Sequence, residues 1–433
     1  PIIGGEWGDD PEAHDEGIEL PVIRVADISG IDILVDDLTI RRVRKSKLPG
    51  RLITQNSLII EKSGGGEKQT VGRAVLGRNV KFDAISSNFM AKVDCGDTLH
   101  GLFAVYLLSA AYFARLNEPN IQQTTGIQNL RVKDYLNIKV GIPPLIEQHR
   151  IAAYLDGSCA AIDAAVIAKR KQLHTLDAIR ASLLQRVITQ GVEPGPMVET
   201  GNTWLERVPE GWSLVQLKRV AKVHGGLTLG KVYEDVATIE YPYLRVANVQ
   251  DGHVELGDVS TLEVPADVAD GVMLRNGDVL MTEGGDLDKL GRGAVWEGQI
   301  APCLHQNHVF AVRCMPHKLL PHFLAYVTAS RYGRDYFEAT GKRTTNLAAT
   351  NSTKVGGFYI PLPSVDEQKT LVDHLDTEIG RLKSIQEVIG KQIENLVAYR
   401  KSLIHECVTG ERRITKEDLA ELQAVRCLSR QKP

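Results

Sequence analysis

The apolar positions of this chain are organised by one stretch that occurs twice. Pro143 to Thr189 and Pro363 to Thr409 align without a gap at an offset of 220, and 13 of the 47 aligned positions are identical, among them Glu147, Gln148, Leu155, Asp156, Arg180 and Leu183. Self-similarity at a fixed period marks a duplicated architecture. Each copy predicts one long helix: a proline opens it, where a missing N–H costs nothing, and no further proline appears before Pro194 or Pro433. In the second copy Leu371, Leu375, Leu382, Ile385, Ile389, Ile393, Leu396, Leu403 and Cys407 recur at spacings of mostly three and four; the first keeps Ile151, Leu155, Ile162, Val166, Leu173, Leu176, Leu183 and Val187. That is close to a coiled-coil seam. So narrow a stripe suits one main partner, and the partner expected is the other copy, paired through Leu155, Leu176, Leu183, Leu375, Leu382, Leu396 and Leu403. A helix of roughly 45 residues rises about 68 Å, the length of a spacer or platform.

The duplication continues more faintly outside the helices. Gly4-Gly5 matches Gly225-Gly226, Pro21 to Ile28 matches Pro242 to Val249, and Gly72-Arg73 matches Gly291-Arg292. Ser87-Asn88 sits where Gln306-Asn307 does, and Gln128-Asn129-Leu130 where Thr345-Asn346-Leu347 does. Leu99, Phe103, Tyr106 and Tyr112 recur as Leu319, Phe323, Tyr326 and Tyr332. Alternating runs punctuated by glycine and asparagine predict strands over Val22–Ile28, Leu58–Glu61 and Phe89–Val93, then over Tyr243–Val249, Asp278–Thr282, Ala294–Trp296 and His308–Arg313. A helix is expected late in each globule, at about Leu99–Arg115 and Pro321–Ala339, with a Pro/Gly linker at Gly191–Thr203 and a short helix and basic end after Gly410. The fold class is α+β: two pseudo-repeated mixed-sheet domains joined by two long antiparallel coiled-coil helices. Its segments are 1–142, 143–202, 203–362 and 363–433. The first copy lacks a counterpart of Trp204–Val220 and opens on Pro1, so an upstream segment is expected to precede it.

Composition narrows the classes. A net charge of −3 gives no global basic signature, so any nucleic-acid reading rests on local patches. Six scattered cysteines without a C-x-x-C point to reduced thiols in a cytosol. The longest apolar run, Gly101 to Leu116, is too short for a membrane span and no signal peptide opens the chain, so a cytoplasmic protein is expected.

Four features could carry chemistry. Gly225-Gly226-Leu227-Thr228-Leu229-Gly230-Lys231-Val232 nearly matches a phosphate loop, but Val232 replaces the hydroxyl that holds magnesium; a glycine-rich loop beside a nucleic-acid backbone is the better reading. Cys303, His305, His308, Cys314 and His317 resemble scattered zinc ligands, yet on a strand 305 and 308 face opposite sides. Ser63-Gly64-Gly65-Gly66-Glu67-Lys68 and Glu283-Gly284-Gly285-Asp286 occupy the same place in each globule, where glycines let a backbone approach a phosphate or groove wall. Lys62, Lys68, Arg73, Lys289 and Arg292 would supply positive charge there, while Glu283, Asp286 and Asp288 read either as a metal site, as turn caps or as acceptors for cytosine. Finally, Asn88, Asn129, Asn248, Asn307 and Asn346, with Gln128 and Gln306, carry amides that can pair with adenine, although a single asparagine more often caps a turn. No nucleophile–base pair, H-E-x-x-H motif or cofactor fingerprint occurs.

The ordered set in duplicate resembles a known family. Pro242-Tyr243-Leu244-Arg245-Val246-Ala247-Asn248-Val249, Gly277 to Gly285, Gly291-Arg292-Gly293, Thr344-Thr345-Asn346-Leu347 and Ile360-Pro361-Leu362-Pro363 leading to Glu367-Gln368 are similar to the specificity subunit of type I restriction-modification systems. The first globule matches through Ile59 to Gly66, Ser87-Asn88-Phe89 and Thr124 to Leu130. The resemblance implies a non-catalytic subunit whose two target recognition domains each read half of a split double-stranded DNA site. It implies helices that set the half-site spacing and dock two methyltransferase subunits, with restriction subunits joining. S-adenosylmethionine, ATP and Mg²⁺ would belong to those partners, and this chain would hold no cofactor or metal. The expected DNA contacts are Arg24, Lys62, Ser63, Gly65, Lys68, Arg73, Asn88, Gln128 and Asn129 in the first domain. In the second they are Lys231, Arg245, Asn248, Gly285, Lys289, Arg292, Gln306, Asn307, Arg343, Thr344 and Asn346. The alternatives are a coiled-coil interaction scaffold without a DNA role, and an enzyme of nucleotide metabolism resting on Gly230-Lys231.

Overall fold

The computed structural model describes the 433 residues except 13–16, 67–68, 125, 231–232, 234, 286–289, 292, 344–347 and 431–433. The chain forms two compact units, Pro1–Arg170 with Gly390–Pro433, and Lys171–Ile389. Each holds one globule and part of both long helices, which run over Leu145–Gln190 and Val365–Thr409. Both begin two residues after the repeated proline.

In the first unit a four-stranded antiparallel sheet runs in the order Ile2–Gly4, Met90–Asp94, Ser57–Glu61, Ala74–Leu76. A second sheet pairs Thr39–Val43 antiparallel with Ile18–Ile23, and Ile18–Ile23 parallel with Ile85–Ser86. A third sets Ile121–Thr124 and Ile127–Leu130 beside Ser63–Gly64. The second unit repeats the plan: Ala221–His224, Val309–Cys314, Asp278–Thr282, Gly293–Trp296; then Ser260–Val264, Ile239–Leu244 and the parallel Leu304–His305; then Lys342–Arg343, Ala348–Ala349, Gly284–Gly285. The predicted helices form at Gly101–Phe113 and Pro321–Ala329, and bury Phe103 and Phe323 completely.

Three expectations change. The strands predicted over Val22–Ile28 and Tyr243–Val249 stop at Ile23 and Leu244. Asp27 Oδ2 accepts the Arg24 N–H at 2.7 Å and Asn248 Oδ1 accepts the Arg245 N–H at 2.8 Å, so local side-chain bonds turn the backbone into a short 3₁₀ segment. The helix from Pro321 breaks at Ser330, which caps a separate helix over Arg331–Thr340. The linker carries a strand, Met197–Glu199, paired with Arg207–Pro209.

Within each unit the long helices run antiparallel. In the first, Arg400 Nε lies 3.1 Å from Asp163 Oδ1, Arg412 Nη2 donates to the Tyr154 hydroxyl at 2.8 Å, and Arg150 Nη1 reaches the Ile414 carbonyl at 3.4 Å. Ile151, Leu155, Cys159 and Ile162 share one core there with Leu403, Ile404, Cys407 and Val408. In the second, Gln386 Nε2 donates to Asp177 Oδ1 at 2.7 Å, and Leu184, Val187 and Ile188 share a core with Leu371, Val372 and Leu375. Leu155, Leu375 and Leu403 are fully buried, Leu183 and Leu396 pack partly buried against these cores, and Leu176 and Leu382 are half-buried. Ile385, read as part of the seam, is 48% exposed. A straight helix drifts by about 20° per heptad from a 3.5 repeat, so a stripe drawn along its whole length leaves the contact. One window of Leu145–Gln190 has the length and hydropathy of a membrane span, and 44% of it is buried inside the protein.

One joint differs between the repeats. In the first unit Arg78 grips both carboxylate oxygens of Asp32, at 2.5 and 2.8 Å, and donates to Asp156 of the long helix at 2.6 Å. The strand registers place His253, Glu297 and Asp376 at the equivalent positions of the second unit. No arginine stands there; Asp376 accepts the Tyr326 hydroxyl instead. A groove of about 920 Å³ runs between its globule and its helices, lined by Arg180, His253, Glu297, Asp376 and Lys383.

Candidate nucleic-acid interface

In each unit an inner strand of the four-stranded sheet starts from a two-residue turn, Asn88-Phe89 or Asn307-His308. The frame of that turn is the same twice. Ser87 N–H donates to the Ile23 carbonyl at 2.9 Å and Met90 N–H to Ser87 at 3.0 Å; Gln306 N–H donates to Leu244 at 2.9 Å and Val309 N–H to Gln306 at 2.8 Å. The neighbouring strand then leaves the sheet as the glycine loop, held by Lys62 N–H to the Phe89 carbonyl at 2.9 Å and Glu283 N–H to the His308 carbonyl at 2.8 Å. Gly5 and Gly226 press against the strand before each turn, where a Cβ would meet the carbonyl oxygens of Ser86 and Ser87, or of His305 and Gln306. Of the glycine pair that resembled the start of a phosphate loop, Gly226 therefore serves close backbone packing, while a Cβ on Gly225 would meet nothing within 4 Å.

Around the first turn lies a cavity of about 430 Å³, bounded by Trp7, Arg24, Ser63, Ser87, Asn88 and Phe89. Phe89 is 42% exposed and Asn88 is exposed. Arg24 is hydrogen-bonded to Asp27, with Nη2 2.8 Å from Oδ1, and that bond and charge push its pKa above the ordinary arginine value. Ser63 Oγ donates to Asn129 Oδ1 at 2.8 Å, so two expected contact residues meet beside the glycine loop. Gly65 holds a positive φ of 64° in the loop.

Other expected contacts are used inside the protein. Gln128 is 6% exposed, and its Oε1 accepts the Val71 N–H at 3.3 Å. Asn248 is 2% exposed, and its Nδ2 donates to the Glu255 and Asp258 carbonyls at 2.9 and 2.8 Å. These two amides hold loops; their surroundings leave no edge for a base. Arg73 is paired with buried Glu61 at 2.8 Å, and Arg245 with Asp258 at 2.8 Å. The letter match of Gln128-Asn129-Leu130 to Thr345-Asn346-Leu347 is also corrected by register: Gln128 pairs with Gly64 whereas Ala348 pairs with Gly285. Lys62, Gln306 and Asn307 are half-buried around the turn and loop, and Arg343 lies in the strand Lys342–Arg343. Lys68, Lys231, Lys289, Arg292, Thr344 and Asn346, with Asp286 and Asp288, lie outside the described residues.

The geometry adds residues that sequence reading missed. Trp7 and Phe89 bound the first cavity, with the Arg41 guanidinium 5.0 Å from the Trp7 ring centre. At the Phe89 position of the second unit stands His308, whose Nδ1 lies 2.6 Å from Glu283 Oε2. The scattered zinc-like set divides accordingly. His305 is buried with Nδ1 donating to the Val309 carbonyl at 2.7 Å, and burial lowers its pKa; His308 is exposed. The available signal was that positions 89 and 308 follow the shared asparagine yet differ in chemistry.

Known proteins share this arrangement. Residues 209–395 match the type I restriction modification DNA specificity domain. The chain is 26% identical over 226 residues to the putative type I restriction enzyme MjaX specificity subunit of Methanocaldococcus jannaschii, covering 51% of this chain and 52% of that protein. It is 23% identical over 389 residues to the type I restriction enzyme EcoKI specificity subunit of Escherichia coli K12, covering 88% and 78%. The first alignment thus spans about half of the relative's length. In fold, it is similar to a chain from a structure on complex assembly and conformational transition of the type I R-M system, with TM-score 0.69 and 16% identity over 95% of this chain and 96% of that one. The HsdS subunit from Thermoanaerobacter tengcongensis gives TM-score 0.51 and 15% identity, covering 92% of each chain. The matched region is the second globule with most of its long helix, and the first globule repeats its strand plan. Over its length the chain is similar to the specificity subunits of type I restriction-modification systems, and residues 209–395 carry their DNA specificity domain.

Proposed function

We propose that this chain is the non-catalytic DNA-reading subunit of a type I restriction-modification complex, with each globule reading one half of an asymmetric, split double-stranded site. The observation that carries this reading is the repeated frame of turn and glycine loop, which has the same backbone hydrogen bonds in both units and different exposed side chains. A constant scaffold with varied tips is what two different half-sites require. Arg24, Lys62, Ser63, Asn88 and Asn129 in the first globule, and Gln306, Asn307 and the loop bearing Gly285 in the second, form the contact surface. Lys68, Lys289 and Arg292 contribute phosphate contacts. The long helices set the half-site spacing and dock two methyltransferase subunits, to which restriction subunits add; S-adenosylmethionine, ATP and Mg²⁺ act in those partners.

The test is a DNA shift assay on the chain co-purified with its methyltransferase subunits, together with mapping of methylated adenines. Selective retention of one split sequence is expected, with affinity falling as salt rises because phosphate contacts release counterions. Retention without sequence preference, or none at any salt, would leave an interaction scaffold as the better description.

A further inference from the structure

We propose that the difference between the two half-sites is written in side-chain pairs standing at equivalent places on the shared frame: Lys62 with Phe89 in the first globule, and Glu283 with His308 in the second. This rests on the DNA-reading function proposed above and names the residues that set its specificity.

The equivalence follows from backbone geometry. Lys62 N–H bonds to the Phe89 carbonyl as Glu283 N–H bonds to the His308 carbonyl, at 2.9 and 2.8 Å. The strands on either side keep one register, with Val93 opposite Leu58 and Val312 opposite Val279. Residues around the turns that hold this frame are the same in both repeats: Arg24 and Arg245, Ala26 and Ala247, Asn88 and Asn307. What the frame displays is different. Phe89 is 42% exposed and the His308 side chain 54% exposed.

The two displays have different base-reading chemistry. Phe89 presents only an apolar ring, suited to a thymine methyl, and Lys62 is a donor without any acceptor, suited to guanine O6 and N7 or a phosphate. In the second globule a carboxylate can only accept, so His308 donates from Nδ1 to Glu283, which fixes the imidazole tautomer. Nε2 is left to meet a base edge. Neutral, it accepts from an exocyclic amine of adenine or cytosine; protonated, it donates to guanine. No base edge satisfies both displays equally, so exchanging the pairs should exchange preferences.

The experiment uses the full chain in complex with its methyltransferase subunits. Glu283→Lys with His308→Phe, and reciprocally Lys62→Glu with Phe89→His, are tested for methylation and binding on duplexes randomised in one half-site at a time. Each double variant should change base preference in one half-site only, with a loss of about 10- to 100-fold on the original sequence. His308→Ala, a milder change at an exposed side chain, should relax preference in that same half-site. Unchanged preference in the double variants, or equal weakening on all sequences with unaltered thermal unfolding, would overturn the assignment. If the unmodified complex already lacks sequence preference, the DNA-reading function fails with it; a selective parent with unresponsive variants refutes only these positions.

Discussion

Gln148 and Gln368 make the same three hydrogen bonds at the same place in their repeats. Gln148 Oε1 accepts the His100 N–H at 2.8 Å, and its Nε2 donates to the Thr98 and Pro143 carbonyls at 3.0 and 2.9 Å. Gln368 Oε1 accepts the Leu320 N–H at 2.8 Å, and its Nε2 donates to Lys318 and Pro363 at 2.8 and 3.0 Å. Each amide, 1% and 0% exposed, locks the start of a long helix to the start of the globule's own helix. Replacing either by alanine strands a buried N–H and two carbonyls, which costs about 1–3 kcal/mol per unsatisfied group. Gln148→Ala and Gln368→Ala should each lower the urea midpoint markedly, and Gln→Glu at least as much, since it buries a carboxylate whose oxygen faces two carbonyl acceptors. Midpoints within error of the parent would show that the amide bonds do not stabilise the joint.

Gly5 and Gly226 give a steric prediction. A methyl group at either would collide with backbone carbonyl oxygens of the strand before the turn, and backbone cannot rotate aside as a side chain can. Gly5→Ala and Gly226→Ala should therefore destabilise by about 1–3 kcal/mol despite removing no contact. The check is thermal unfolding of each variant against Gly96→Ala, whose Cβ meets nothing within 4 Å.

Acid sensitivity should trace to His305. Burial is the largest cause holding its pKa below the ordinary value, offset in part by its bond to the Val309 carbonyl. Between the depressed folded value and the ordinary value of about 6.5, the unfolded chain binds more protons than the folded one. The stabilisation is therefore complete above that ordinary value and is lost as pH falls below it. Unfolding midpoints measured from pH 8 to about 5 should fall less steeply in His305→Gln than in the parent. Equal slopes would assign the acid response elsewhere, His100 being the next candidate because burial and then His149 lower its pKa.

The helix pairing is best tested where it is driest. Leu375 and Leu403 are 0% and 1% exposed, so Leu375→Ala or Leu403→Ala should cost about 2–5 kcal/mol. Leu382→Ala, at a half-buried position, should cost distinctly less. Comparable losses at all three would indicate a seam packed evenly along its length.

That contrast shows what the sequence could reveal. Duplication, helix starts and the strand Asp278–Thr282 were legible because they follow from proline placement and local periodicity. The roles of Asn248 and Gln128 were not, since an amide that reads a base and one that holds a loop have the same letter; only burial separates them. The Gln128 register was misaligned because letter identity favoured Asn346, whereas strand pairing is set by the glycine loop opposite. His308 was hidden among apparent metal ligands, and its meaning depended on a partner 25 positions away.

The contrast between Arg78 and Glu297 has a mechanical consequence. Where the guanidinium ties sheet to helix, the first globule should resist tilting on its stem; where the groove lined by His253, Glu297, Arg180 and Lys383 stays open and the tie to Asp376 is a tyrosine hydroxyl, the second should be the more compliant. On the DNA-reading function proposed above, a pair of arms with unequal stiffness would let one seat firmly on its sequence while the other adjusts to the helical phase of the duplex beyond.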